Sequence, residues 1–314
     1  MSTIFYTHNG RFHCDEVAAF AILNELQKVH ALVRVGKEDF DSIFEMAAPG
    51  DFVVDIGRKY DPEFRFFDHH QGGLVRPNGY TYASVGLIWK HYGLELIEQE
   101  CFFGEANKYI KETNGFYDYN AVWKYVDTNL IQGLDANDSD NVYEVYAKGA
   151  GGPVHAVTLP EIIRLRNSSD VMDEDKQRHM FLRCSDDVGE IILNYIRKGV
   201  KVQVNRERFR KDIQLSCSGA LGFLRKSLAW EEVVHSGEIP WTSDLRYMVM
   251  PSTHPGSTWT MVAVSKGLNT REVHLPIERS PEFTGFIHDG KWIAGSDSKI
   301  KLFKLAEYNL KLER

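Results

Sequence analysis

The stretch Phe66-Phe67-Asp68-His69-His70-Gln71 decides how the rest of the chain is read. Two aromatics run straight into an acid and two imidazoles. With Phe64 to Phe67 as a strand, Asp68, His69 and His70 fall at its carboxyl end, where open α/β sheets bind their ligands. Neutral imidazole and carboxylate are donors that divalent transition metals select. Three adjacent metal-type side chains at a strand end have no ready structural explanation.

Upstream, Phe52-Val53-Val54 reads as another strand and ends on Asp55, with Gly57 just beyond. Ala31 to Val35 is a third. Ser2 to Thr7 is a fourth, β-branched and aromatic, broken at His8-Asn9-Gly10. Between the last two, Asp15 to Leu26 has the alanines and apolar spacing of a helix. Its first-turn acids suit the positive end of the helix dipole. Downstream, a loop with Gly72, Gly73 and Gly79 leads to a buried helix over Tyr82 to Tyr92. Further helices are expected over about Leu94 to Ile110 and Ala121 to Leu134, the latter stopping in a turn-rich Asp135-Ala136-Asn137-Asp138-Ser139-Asp140. Ala147 to Pro153 reads as a loop, Leu159 to Leu165 as a short amphipathic helix, and Asp173 to Arg197 as a long one. Strands alternating with helices give an α/β fold, a mainly parallel sheet flanked by helices.

The run Arg197 to Lys211 carries seven basic residues against Glu207 alone, and the pattern changes after it. Strand-like runs follow at Ile213 to Cys217, Leu245 to Met250, Thr258 to Ser265 and Phe283 to His288, with a closing helix over Lys299 to Leu310. A catalytic domain over 1–200 and a smaller α+β domain over 201–314 are therefore expected, which agrees with the usual domain size for 314 residues.

Bulk properties narrow the classes. The formal net charge of -7 argues against a protein that coats duplex nucleic acid electrostatically, though not against a local groove. No apolar run is long enough to span a bilayer. The first residues read as a strand and not as a targeting peptide. Cys14, Cys101, Cys184 and Cys217 are scattered with no CxxC, so a reducing, cytoplasmic location is the default expectation.

Four clusters carry chemistry: His8, His13 and Asp15; Asp55; Asp68, His69 and His70; and Asp135 with Asp138. Taken singly, His8 and His13 are loop histidines, Asp55 an Asx turn, and Asp135 and Asp138 helix-end residues. Their joint placement at strand ends and a strand-to-helix turn favours a metal site. The donors exceed what one ion needs. A carboxylate shared by two ions, best placed at Asp55, would bridge them at ~3.5–4 Å. The donor mix suits manganese, with magnesium or zinc as alternatives.

Thr7-His8-Asn9-Gly10-Arg11-Phe12-His13-Cys14-Asp15-Glu16, Val53-Val54-Asp55-Ile56-Gly57 and Phe67-Asp68-His69-His70-Gln71 resemble successive motifs of the DHH phosphoesterase superfamily, and within it the MYG exonuclease family, whose older label is metal-dependent protein hydrolase. Ala83 to Ile88, Leu134 to Asp138, Ile163 to Asn167 and Gly285 to Gly295 extend the likeness over most of the chain. The resemblance implies two domains, two divalent ions and phosphodiester hydrolysis, most specifically 3′–5′ digestion of RNA or another single strand. It assigns His8, His13 and Asp55 to one ion, and Asp15, Asp55, His69 and a fourth-motif acid to the other. His70 would face the phosphate, and Asp68 would orient an imidazole from behind.

Two departures from the family pattern matter. Asp138 is followed by Ser139 where Asn-Gly is usual, so Asp135 is the preferred fourth-motif ligand, with Asp138 second. Gly295 stands alone, followed by Ser296, where a glycine pair is usual. His288 and Gly295 are candidate substrate contacts, as are Arg206 and Arg208 if the basic run grips a phosphate backbone; the alternative for that run is a solvated helix face. Competing functional readings are a small-substrate phosphatase or pyrophosphatase, and a non-catalytic nucleotide-binding module.

Overall fold

A computed structural model describes residues 2–111, 118–139, 157–237, 239–268 and 270–312. The expected loop at Ala147 to Pro153 lies outside the described residues. The chain divides into two compact units, Met1–Val200 and Lys201–Arg314.

The first unit begins β1 (Ile4–His8), α1 (Cys14–Glu25), β2 (Ala31–Val35), α2 (Ile43–Met46), β3 (Phe52–Val54), β4 (Tyr60–Asp61) and β5 (Phe66–Phe67). The sheet order is β2-β1-β3-β5-β4, parallel except for β4 against β5. Successive side chains of a strand point to opposite faces, and the sequence uses both. Phe5 meets Phe20 of α1 edge-on at 5.2 Å. On the other face Tyr6, Val35 and Val53 pack with Ile43 and Ile56. Burial on both faces is why these strands are continuous apolar runs without alternation. α1 is buried from Cys14 to Leu23, which explains its lack of an amphipathic stripe.

The helical remainder is α3 (Ser84–Phe102), α4 (Asn107–Ile110), α5 (Tyr119–Val126), α6 (Gln132–Ser139), α7 (Leu159–Leu165) and α8 (Glu174–Asp212). Four expectations are corrected here. The strand expected from Phe64 is only Phe66–Phe67, because Pro62–Phe64 form a 3₁₀ turn and Arg65 takes a left-handed φ of 63°. The helices expected on either side of Gly93 are one helix, since Gly93 is buried under Trp89 and Trp123. The segment at Asp135 to Asp138 is not a turn: a π turn over Asp127–Ile131 passes directly into α6, which holds to Ser139. The helix expected to stop near Arg197 runs to Asp212 and takes in the basic run.

The second unit contains β6 (Gln214–Ser216), β7 (Leu221–Phe223), α9 (Glu231–His235), β8 (Tyr247–Pro251), β9 (Trp259–Ala263), β10 (Phe286–Ile287), β11 (Ile293–Ser296) and α10 (Lys299–Leu312). Its sheet, β10-β11-β9-β8-β7-β6, is antiparallel except between β7 and β8. Leu302, Leu305 and Ala306 of α10 cover one face, against Tyr247, Val249 and Met261. Phe209, Trp230 and Val233 cover the other, against Met248 and Val262. Both units are mixed α/β structures. Among the described residues no helix is long and apolar enough to cross a membrane.

Candidate metal centre

In the parallel sheet, chain order reverses about β1, which has β2 on one side and β3 on the other. The crevice at the carboxyl ends of such strands is where ligands bind. β1 ends on His8, β3 delivers Asp55, and β5 delivers Asp68, His69 and His70. α1 brings Asp15 and Glu16 in its first turn. A cavity of about 760 Å³ is lined by His8, His13, Asp15, Asp55, His69, His70 and Asp138, among others.

Asp55 stands at the middle. Its φ is 63°, a left-handed conformation that Asp tolerates better than most residues. One oxygen, Oδ2, lies 3.4 Å from His8 Nε2, and the other, Oδ1, lies 3.2 Å from His69 Nε2. Ser84 Oγ donates to Oδ1 at 3.1 Å. His69 Nε2 is also 3.2 Å from Asp138 Oδ2. Potential ligand atoms fall into three groups: His8, His13, Glu16 and Asp55; Asp55, Asp68, His69 and His70; and His13, Asp15 and Asp138. Asp55 is common to the first two.

The donors have the orientation and proximity that a metal requires. His8 Nδ1 donates to the Asn9 carbonyl at 2.8 Å, which turns Nε2 into the cavity. Asp15 is 1% exposed, yet neither carboxylate oxygen has a hydrogen-bond partner, and Glu16 Oε2 is likewise unsatisfied. Buried carboxylates are retained when paired or coordinating a metal. Burial, with Asp55, Asp138 and Glu16 close by, holds the Asp15 pKa well above its ordinary value. Burial alone would lower the His8 pKa, but Glu16 and Asp55 outweigh it and push it up to about 11. For His69 burial is again outweighed, by Asp138 and Asp55, and the pKa rises to about 10. Asp55, though buried, is held below the usual carboxylate range by His69 and His8. Protons on two imidazoles thus supply the positive charge that the acids demand. The donor set fits divalent cations in their place.

His70 is arranged differently. Its Nδ1 is 2.7 Å from Asp68 Oδ1, which also accepts the backbone N–H of His69 at 2.7 Å and of His70 at 3.1 Å. The second Asp68 oxygen accepts the Arg58 backbone N–H. Asp68 is therefore fully occupied behind the imidazole. Its hydrogen bond raises the His70 pKa and leaves Nε2 for the cavity, where the ring is half exposed.

Asp135 does not reach this site. Its carboxylate takes the Arg76 guanidinium and the backbone N–H groups of Ala83 and Gly86, at 3.1 and 3.0 Å. Gly86 is required there, since a Cβ would collide with Asp135. Arg76 Nη1 also donates to both oxygens of Asp127, at 2.9 and 3.0 Å. Asp138, one turn on along α6, is the acid that meets His69, so the preference for Asp135 is reversed. The preference rested on Ser139 standing where Asn-Gly is usual; the chain there is helical through Ser139, and that placement carries Asp138 to His69.

The sequence reading passed over three residues. Glu16 lies 3.1 Å from His8 Nε2 and accepts the His13 backbone N–H at 2.7 Å; an acid three residues after a helix cap was its visible signal. Asn167 accepts from the Phe12 N–H at 2.8 Å and donates to the Phe12 carbonyl at 2.9 Å. Arg34 donates to the Gly10 carbonyl at 2.7 Å. The last two pin the loop that carries His8 and His13 from 155 and 24 residues away; Asn167 ends the Ile163 to Asn167 stretch of the family likeness, while nothing local marks Arg34. Cys14 is buried with its thiol pKa pushed up, a small packing residue.

The remaining candidates belong to the second unit. His288 and Gly295 line a cavity of about 480 Å³ with Phe286 and Trp292. Gly295 is explained by packing, since a Cβ would meet Ser257 Oγ. Arg206 and Arg208 lie on α8, half-buried, and neither is free of partners. Trp230 is core, and Trp241 stacks on Phe209 at 5.8 Å.

Comparison with known proteins bears on the centre as a whole. The MYG1 exonuclease family profile, described as "Uncharacterised protein family (UPF0160)", matches residues 4–286. The chain belongs to the MYG1 family. The MYG1 protein YER156C of Saccharomyces cerevisiae is 27% identical over 99% of this chain and 96% of its own. The MYG1 exonuclease of Homo sapiens is 26% identical over 86% of this chain and 72% of its own. Among solved structures, the pGpG-specific phosphodiesterase PggH from Vibrio is similar over 99% of this chain and 98% of its own, at 12% identity and a TM-score of 0.27, too loose a superposition to bear on the fold or the site.

Proposed function

We propose that this MYG1-family chain is a metal-dependent phosphodiester hydrolase using two divalent ions, manganese by preference, and that its substrate is single-stranded nucleic acid, most specifically RNA digested 3′ to 5′. The observation that carries the reading is the buried Asp15 carboxylate with both oxygens unpartnered, beside two further acids, Asp55 and Asp138, and four imidazoles in one cavity. Relatives in the same family bear the name exonuclease. His8, His13 and Asp55, with Glu16 behind or beside them, would hold one ion. Asp15, Asp55, His69 and Asp138 would hold the other. Ions so held supply Lewis acidity and lower the pKa of water.

The chain's own residues do the rest. His70 would turn Nε2 toward a phosphoryl oxygen, with Asp68 holding the ring from behind and raising its pKa. Asn167 and Arg34 keep the His8–His13 loop in one conformation. His288 and its aromatic neighbours, and Arg206 and Arg208, are proposed substrate contacts of the second unit.

Manganese-loaded protein offered a 5′-labelled RNA oligonucleotide, the matching DNA and pyrophosphate in parallel tests this directly. Stepwise shortening of the RNA is expected. Phosphate released from pyrophosphate alone would replace the reading with a pyrophosphatase, and turnover of none of them would remove it.

A further inference from the structure

The metal-centre cavity holds more than a metal centre. Its acids and imidazoles are accounted for by the ligand set and His70. Two permanent cations also line it, Lys37 and Arg164, together with one aromatic ring, Phe40. At about 760 Å³ the cavity far exceeds two ions and a phosphate, given that a liquid water occupies about 30 Å³.

Lys37 and Phe40 come from one turn. β2 pairs with β1 so that Val35 lies opposite His8, and the chain then enters a 3₁₀ turn over Lys37–Asp39, closed by Phe40. Lys37 opens this turn and Phe40 closes it, and both side chains line the cavity. Lys37 is exposed and has no ion pair among the described residues. Phe40 packs partly against the Tyr6, Val35, Ile43 core and gives its remaining surface to the cavity. Arg164, from α7, has only a loose 3.6 Å pairing with Glu161 on its own helix, which is worth little at an exposed site.

We propose that Lys37 and Phe40 form a nucleotide clamp, Lys37 holding a phosphate next to the metal centre and Phe40 stacking on the attached base, with Arg164 as a second phosphate contact. The inference rests on the phosphoesterase reading and narrows its substrate to nucleotides. A cation and an aromatic face on one turn of the cavity wall offer contacts for the phosphate and the base of one nucleotide, and stacking tolerates any base.

The test is calorimetric titration of AMP, and separately of inorganic phosphate, into the manganese-loaded full chain, its Lys37→Ala variant and its Phe40→Leu variant. Leucine keeps the core contact and removes the stacking face. Lys37→Ala is expected to weaken both ligands about tenfold, the loss of one charged contact. Phe40→Leu is expected to weaken AMP about fivefold and to leave phosphate unchanged. Wild-type protein that fails to bind AMP overturns the clamp, as does AMP affinity unchanged in both variants. Equal weakening of AMP and phosphate by Phe40→Leu removes the stacking half. If AMP binds in the expected pattern while oligonucleotides are not cut, the hydrolase reading fails and the clamp stands; cleavage with unchanged AMP affinity does the reverse.

Discussion

Asp135 and Asp138 lie one helical turn apart on α6 and should fail in opposite ways when truncated. Asp135 is fully buried, and its carboxylate satisfies Arg76 and two backbone N–H groups. Removing one partner of a buried ion pair costs about 3–5 kcal/mol. Arg76 keeps Asp127, so the low end, about 3 kcal/mol, applies. At roughly 2–4 °C per kcal/mol for a unit of this size, Asp135→Ala should lower the metal-free melting temperature by roughly 6–12 °C. Asp138 is partly exposed, and among the described residues its ion pair is with His69, with Asp15 and His13 nearby. Asp138→Ala should leave the metal-free melting temperature within about 2 °C and weaken manganese binding by about 10- to 100-fold, the usual penalty for disturbing a metal site. Scanning calorimetry in chelator, followed by manganese titration, reads both. Wild-type manganese affinity in Asp138→Ala, with loss of metal but no loss of stability in Asp135→Ala, would refute the reversal.

Manganese binding near pH 7 should release protons, because metal-free His8 and His69 hold theirs to about pH 11 and 10. Both values are raised above the ordinary 6.5, so the stabilisation of the metal-free fold is complete below about pH 6.5 and is lost as pH rises through 10 to 11; metal affinity should rise with pH in the same range, and binding heats that do not vary with buffer ionisation enthalpy would contradict this. Asp68→Asn should lower the His70 pKa, since the Asp68 hydrogen bond is what raises it; the alkaline limb of the pH–rate profile then moves to lower pH while metal content stays at the wild-type level, and an unmoved limb would count against His70 as the proton holder. Asn167→Ala should raise the manganese dissociation constant roughly tenfold by freeing the Phe12 backbone beside His13, which titration at fixed pH would show.

Much of the first unit was legible because its strands are short apolar runs ending in chemistry. Val53-Val54 before Asp55 and Phe66-Phe67 before Asp68 stand out by contrast alone, and the sheet then had to bring those ends together. Where the reading failed, tertiary partners outweighed local propensity. Asp135-Ala136-Asn137-Asp138 has turn composition, yet Arg76, from 59 residues earlier, takes the first acid and the helix continues. The helices expected over Tyr82 to Tyr92 and from about Leu94 are one, because Gly93 between them packs against Trp89 and Trp123. In the second unit β7 and β11 escaped notice because each carries a glycine, Gly222 and Gly295, whose missing side chain weakens the strand pattern but admits Met248 and Ser257. Glu16 was visible only as a helix-capping acid. Asn167 stood in a stretch of family likeness without a role, and Arg34 in a strand; both bind the backbone of the loop, a contact residue types alone do not specify.

The central claim is a pair of ions sharing Asp55. Anomalous scattering from crystals grown with manganese, with metal content measured on the same protein, tests it most directly. The account predicts two peaks flanking the Asp55 carboxylate, one toward His8 and the other toward His69 and Asp138, and loss of both in Asp55→Ala. A single peak, or two that persist in Asp55→Ala, would contradict it.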